Sequence, residues 1–132
     1  SPQLRVAAMT LASGMVWFCW GYWANRDHPD QALMSGLSQG GISLFTTAFG
    51  STALEILFVR IGHTRLGRGL CVFLVSFVSL CAMLTVHILA GTPNLLLTIL
   101  PVYGVVVLYC SSYIYGLTKI KNEYENQEVA MS

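Results

Sequence analysis

The chain is short and poor in charge for its length, which limits the kinds of protein it can be. It has 132 residues, of which 55% are apolar and only 10% are charged, whereas soluble domains carry roughly 25% charged residues. A soluble domain cannot cover its surface with so few charges. A net charge of +1 also leaves no basic patch for nucleic acid. The composition therefore indicates a single-domain integral membrane protein with membrane lipids around it.

Apolar segments of helix length fill most of the chain. A helix needs roughly 20 apolar residues to cross a hydrocarbon core of about 30 Å, and each segment has about that length. We therefore predict an all-α, polytopic membrane protein: a four-transmembrane-helix bundle within residues 1–118, followed by a short polar cytoplasmic tail at 119–132. The predicted spans are residues 6–24, 32–59, 70–90 and 95–118.

The basic residues predict the orientation of these spans. Of the 7 lysines and arginines, only Arg26 lies in a loop on the second side of the membrane. Because Lys and Arg are enriched in cytoplasmic loops, both termini are predicted to be cytoplasmic, and we expect the inner (plasma) membrane of a bacterium as the location. The residues on the predicted cytoplasmic side are Arg5, Arg60, Arg65, Arg68, Lys119 and Lys121.

Tryptophans recur at intervals of three near the end of the first span. Trp17, Trp20 and Trp23 therefore lie on roughly one side of a helix. Indole rings prefer the headgroup level of a membrane, where one part is apolar and another can hydrogen-bond. The spacing predicts a lipid anchor, and the alternative is an aromatic wall for a ligand at the outer face.

The first loop holds three side chains that can bind cations within four positions: Asp27, His28 and Asp30. Their spacing matches no common metal motif, so we expect the two aspartates to cap the second helix instead. His63 lies in a loop and only His87 lies within a span, which leaves no pair for bis-histidine haem. No metal site and no cofactor are predicted.

The second span carries a continuous stripe of small and polar residues at intervals of three and four, which we call the polar stripe. Such positions share one face of a helix. In lipid, small residues allow helix backbones to approach closely, and hydroxyls and amides hydrogen-bond across the contact. The pattern predicts a central helix, an oligomer seam or the wall of a polar groove. The polar stripe is Gly36, Gln39, Gly40, Ser43, Thr47, Gly50, Ser51 and Glu55.

Glu55 is the only carboxylate inside a span, and intramembrane charges are functional candidates. It lies nine residues from the middle of the second span, or roughly 13 Å at 1.5 Å per residue. This places it near the cytoplasmic edge rather than at the midplane, where coupled transporters bind their ions. We therefore predict an interfacial ion pair of Glu55 with Arg60, Arg65 or Arg68.

The third and fourth spans offer polar partners for the stripe. His87 and Gln39 lie at similar depths of their spans, roughly 10 Å from the centre, and are predicted to pair. Pro101 lies inside the fourth span and is expected to kink it. The predicted partners are His87, Tyr109, Ser112 and Tyr113.

No enzyme motif is recognisable in the chain. It contains no CxxC, HExxH, GxSxG or phosphate loop, and no readable pair of nucleophile and base. We interpret the chain as a component of a transporter, a channel or a flippase for lipid-linked substrates, acting as a homo-oligomer or with another membrane protein. The alternative is an accessory or assembly subunit of a larger complex, and a membrane enzyme acting on a lipid is the third possibility.

Overall fold

The computed structural model describes residues 2–132, with the side chains of all of these except Pro2, Val6 and Met9. The described chain consists of four α-helices joined by short loops and contains no strand. Each helix is long and apolar enough to cross a membrane. This confirms the predicted all-α class with four membrane-length helices. The helices are α1 (Pro2–Ala24), α2 (Pro29–Ile61), α3 (Arg65–Ala90) and α4 (Leu95–Met131).

Both ends of α3 are determined by local sequence. The Thr64 hydroxyl accepts a hydrogen bond from the backbone N–H of Gly67 at 2.9 Å, which satisfies one of the free donors at the helix start. At the other end, Gly91 has a φ of 71°. Glycine adopts this left-handed conformation without steric cost, so it ends the helix.

The start of α2 differs from the expected aspartate cap. His28 occupies the N-cap position without a side-chain capping hydrogen bond, and Pro29 follows it. Asp30 lies in the first turn, where a negative charge is favourable for the helix dipole. Asp27 instead accepts a hydrogen bond from the Asn94 side chain at 2.8 Å, so it helps to hold the beginning of α4.

The second and fourth helices are longer than a bilayer requires. Their 33 and 37 residues correspond to about 50 and 56 Å at 1.5 Å per residue. Pro101 lies inside α4 without ending it, and the helix continues through the predicted polar tail as far as Met131. An exposed pair of Lys121 and Glu125, 3.7 Å apart, lies on this extension and contributes little stability.

The helices form a bundle in which α2 and α4 are the diagonal pair. Each of these two contacts every other helix, whereas α1 and α3 do not contact each other within the described residues. The loops at 25–28 and 91–94 lie at one end of the bundle, which we call the paired-loop end. The loop at 62–64 marks the single-loop end. The buried core between α2, α3 and α4 consists of Leu54, Cys71, Val75, Cys110 and Ile114.

Glycines bring the backbones of α1 and α2 into direct contact toward the paired-loop end. A Cβ atom at Gly21 would lie 2.9 Å from the carbonyl oxygen of Ser35, and one at Gly40 would lie 3.0 Å from that of Gly14. A Cβ atom at Gly21 would force the backbone to shift, and one at Gly40 would be tighter than nearly all real Cβ contacts, so glycine allows the close approach of the two helices. The adjacent Gly41 has open space around it, which shows that the close approach belongs to one face of α2.

We predict that Gly40→Leu destabilises the bundle strongly, whereas Gly41→Leu does not. Overpacking a filled site costs about 1–3 kcal/mol, and backbone beside Gly40 yields less readily than a side chain. The free energy of unfolding, measured by denaturing-detergent titration in mixed micelles, checks this. Equal effects of the two substitutions would contradict the close packing of α1 on α2 at Gly40.

Candidate functional site

A cavity of about 380 Å³ lies between the four helices, near the middle of their apolar segments. All four helices contribute to its wall, and none of the lining residues is charged. The cavity is partly open on the side where Thr47, Val105 and Tyr109 are exposed. Its lining residues are Thr10, Ser13, Trp17, Ser43, Thr46, Thr47, Gly50, Val75, Ser79, Val102, Val105, Val106, Tyr109 and Cys110.

The hydroxyl groups in this wall divide into acceptors and donors. Thr46 and Thr47 each donate to a backbone carbonyl one turn earlier at 2.8 Å, so toward the cavity they only accept. Ser13 and Ser79 make no hydrogen bond with any other described residue, so their hydroxyls are free to donate. The wall therefore offers both partners that a hydroxylated ligand needs.

A chain of buried hydrogen bonds closes the cavity toward the paired-loop end. Gln39 donates from Nε2 to the Ser43 hydroxyl at 3.0 Å and accepts at Oε1 from His87 Nε2 at 2.8 Å. The other ring nitrogen, His87 Nδ1, lies 2.7 Å from the Thr92 hydroxyl, which lies 3.3 Å from that of Ser35. The structure thus brings the predicted pair together, and Ser43 connects it to the cavity.

The amide of Gln39 sets the direction of these hydrogen bonds. Its Oε1 atom only accepts, so His87 carries a hydrogen on Nε2, and the neutral ring accepts at Nδ1 from Thr92. Gln39 and His87 are both fully buried. A buried donor without a partner costs about 1–3 kcal/mol, so each side chain needs the other.

A second buried cluster joins α1 to α4 at the same end. Asn25 donates from Nδ2 to the Thr98 hydroxyl at 2.8 Å and accepts at Oδ1 from the backbone N–H of Asn94 at 2.9 Å. Trp20 Nε1 donates to the Thr98 carbonyl at 3.1 Å. Sequence reasoning missed this cluster. The available signal was a pair of asparagines in the two loops that short connections place at one end.

The three tryptophans of α1 have different environments. Trp17 lines the central cavity, and Trp20 is held by its hydrogen bond to α4. Trp23 is exposed, with the Arg26 guanidinium 4.0 Å from its ring centroid. An interfacial anchor therefore fits Trp23, whereas the aromatic wall contributed by Trp17 lies at mid-bundle rather than at the end.

Toward the single-loop end, two tyrosines of α4 contact the polar stripe. Ser51 donates to the Thr47 carbonyl at 2.8 Å, so Tyr109 is the donor in its 2.6 Å contact with Ser51. One turn further along, the Tyr113 hydroxyl donates to Glu55 Oε1 at 2.6 Å. These groups lie at an exposed edge of the bundle, unlike the buried chain at the other end.

Glu55 contacts Tyr113 rather than one of the three arginines predicted to pair with it. Arg60 lies five positions after Glu55 on α2, off the i+3 and i+4 face of the helix. Arg60 and Arg65 are exposed, and Arg68 donates to a backbone carbonyl of the 62–64 loop at 3.3 Å. Within the described part of the chain, Lys121 and Glu125 form an ion pair, and His28 Nε2 lies 3.5 Å from a carboxylate oxygen of Asp27.

The polar stripe divides into two halves with different surroundings. The half near the paired-loop end packs on α1 or belongs to the hydrogen-bond chain of Gln39 and His87, and its last member, Ser43, also lines the cavity. The other half lines the cavity or contacts the tyrosines of α4. Ser112, also predicted as a partner, is exposed and belongs to neither group. The first half is Gly36, Gln39, Gly40 and Ser43, and the second is Thr47, Gly50, Ser51 and Glu55.

We predict that Gln39→Leu destabilises the protein by about 1–2 kcal/mol, because it leaves His87 Nε2 without an acceptor. Gln31→Leu, at an exposed position of α2, is the matched control and should change stability by less than about 0.5 kcal/mol. Unfolding in mixed micelles measures both. Addition of His87→Leu to Gln39→Leu should recover part of the loss, since it removes the stranded His87 Nε2 donor and the Thr92 hydroxyl can turn toward Ser35. Strict additivity would argue against the hydrogen bond.

The described part of the chain holds no group of three or more side chains suited to a metal ion. Comparison of the chain with protein-family models, curated proteins and solved structures gave no match in any of the three. Function is therefore inferred from the cavity and the contacts around it.

Proposed function

We propose that the chain is an integral membrane protein that acts as a component of a transporter, a channel or a flippase for lipid-linked substrates. The central cavity carries this proposal. It is large enough for a small ligand, because ligand sites typically measure about 300–1,000 Å³. In this role the cavity holds a small solute or the headgroup of a lipid-linked molecule.

The depth of the cavity supports transport. Its α2 lining runs from Ser43 to Gly50, around position 46, the middle of the expected second span. Substrate sites of membrane transporters lie near the bilayer midplane, where irregular or polar groups are tolerated only around a cavity. The distribution of basic residues further supports cytoplasmic termini in a bacterial inner membrane. The paired-loop end then faces outward.

The absence of charge in the lining limits the class of substrate. Ion-coupled transport uses intramembrane carboxylates or histidines at the site. Here Glu55 lies outside the cavity wall and accepts a hydrogen bond from Tyr113. Passive movement of a neutral or lipid-type substrate therefore fits better than coupling to protons or sodium. The partly open side, near Thr47 and Tyr109, suits a second copy or another membrane protein that completes the pathway.

One observation favours the second candidate, an accessory or assembly subunit. Glu55, Tyr109 and Tyr113 form a polar edge within membrane-length helices, and Glu55 and Tyr109 are exposed. Polar groups at such depth favour contact with protein over lipid. A partner helix on this edge would also cover the cavity opening. The two roles thus differ in whether water reaches the cavity wall.

The proposed orientation predicts the side from which single cysteines are labelled. In a background without Cys19, Cys71, Cys81 and Cys110, a membrane-impermeant maleimide applied to intact cells should label His28→Cys. It should label Lys121→Cys only after permeabilisation. Outside labelling of Lys121→Cys without labelling of His28→Cys would reverse the topology.

The transport role predicts that water reaches the cavity wall. In the same background, a small, uncharged, water-soluble thiosulfonate, which reacts with a thiol ionised in water, should modify Thr47→Cys in vesicles at least about tenfold faster than Ala48→Cys, which is equivalent to a difference of about 1.4 kcal/mol. Ala48 is the matched control because it is adjacent, exposed and outside the cavity wall. Equal and slow modification at both positions would contradict the transport role and favour a helix covering the opening.

A further inference from the structure

A second space adjoins the central cavity where α2 packs against α3. It is a groove of about 240 Å³ between α2 and α3, which we call the α2–α3 groove. Its own lining is apolar, and the rings of Phe45 and Phe49 lie 4.3 Å apart along it. On α3, the lining includes Leu74, Val78 and Ala82. In a bilayer such a groove opens to acyl chains rather than to water.

The groove and the cavity share part of their walls. Thr46, Gly50, Val75 and Ser79 line both. Gly50 lies at this junction, and a Cβ atom placed there would have a single neighbour within 4 Å, the Val75 side chain at 3.6 Å. Because that is an ordinary van der Waals distance, the junction at Gly50 is not tightly packed. The two spaces are therefore neighbouring compartments rather than separate sites.

The two compartments differ in chemistry. The cavity contains the free serine donors Ser13 and Ser79 and the threonine acceptors Thr46 and Thr47. The groove has only the shared Thr46 and Ser79 as polar lining. No charged side chain lines either compartment. Burying an ion without a counter-charge is strongly unfavourable, so the lining selects against charged headgroups.

We propose that the two compartments hold one amphipathic ligand, with an uncharged, hydroxyl-bearing headgroup in the cavity and a single apolar chain in the α2–α3 groove. This inference rests on the proposed function and specifies its substrate class. Free donors and unused acceptors in the cavity match a hydroxylated headgroup, because each hydroxyl both donates and accepts. The shared wall at Gly50 explains why the polar and apolar compartments meet.

A photoreactive monoacylglycerol, with a diazirine in the middle of its acyl chain, tests the proposal on the whole protein in phosphatidylcholine vesicles. After illumination, mass spectrometry should locate adducts in the α2–α3 groove, near Phe49 and Val78. Unlabelled monooleoylglycerol should compete at least about tenfold better than oleate or lysophosphatidylcholine with the same chain. Equal competition by the charged lipids would overturn the proposed headgroup class.

Two substitutions separate the compartments. Ala82→Phe fills only the groove and should abolish the adducts, whereas Ala48→Phe, outside both spaces, should not.

Ser13→Ala should leave the adducts in place but reduce the preference for monooleoylglycerol over oleate several-fold, and Ser112→Ala is its exposed control. Adducts that persist in Ala82→Phe would overturn the assignment of the chain to the groove. The competition measurement on the unaltered protein decides even where a variant does not fold.

Modification of Thr47→Cys tests the transport role, and the adducts in the α2–α3 groove test the ligand class, so the two proposals can fail separately. Rapid modification there, without adducts in the groove, would reject the ligand class alone. Groove adducts in a protein whose Thr47→Cys resists modification would reject the transport role while leaving a lipid-binding site.

Discussion

A large polar side chain buried between membrane-length helices is costly without a hydrogen-bond partner, and the hydrogen bond between Gln39 and His87 satisfies two of them at once. Both side chains are fully buried, and they join α2 to α3 at 2.8 Å. A slip of α3 by one turn, about 5.4 Å, would separate them. The bond therefore sets the register of the two helices, which places Ser43 at one end of the cavity and Gly50 opposite Val75.

The close packing of α1 on α2 explains why a cavity follows this layer. Near the paired-loop end, glycines bring the two backbones together. The last glycine of this seam on α1 is Gly14, where a Cβ atom would lie 2.9 Å from the Leu44 side chain. Beyond it, toward the single-loop end, Ser13 and Thr10 line the cavity together with Thr47 of α2. The backbones of α1 and α2 are thus in contact where α1 carries glycine, and the cavity begins where α1 carries larger residues.

Much of this arrangement could be predicted from the sequence because helix length and periodicity are local properties. The four helices follow from apolar length, and the pairing of Gln39 with His87 follows from matching depth. The contact of Glu55 could not be predicted in this way. Position along a helix gives depth and face but not the neighbouring helix, so nearby loop arginines looked as suitable as Tyr113 on α4.

The cluster around Asn25 was missed for a related reason. Its partners, Asn94 and Thr98, are distant along the chain, and only the packing of α1 against α4 brings them together. The division of the polar stripe into two halves could not be predicted either. Small residues recur at the same intervals whether they face the backbone of another helix or a cavity. The packing of α1 determines which residues of α2 face a backbone, and the sequence pattern of α2 contains no information about that packing.

The two ends of the cavity differ in how strongly they are closed. At the paired-loop end, the chain through His87 and the cluster around Asn25 are buried, and breaking them strands polar groups away from water. At the single-loop end, the contacts of Tyr109 and Tyr113 lie at an exposed edge, where water or lipid headgroups can replace a lost partner. In the proposed transport role, a ligand would therefore leave the cavity more easily at the side and toward the single-loop end. In that role, passage across the whole membrane would require the paired-loop end to open, and there the loops at 25–28 and 91–94 would have to separate.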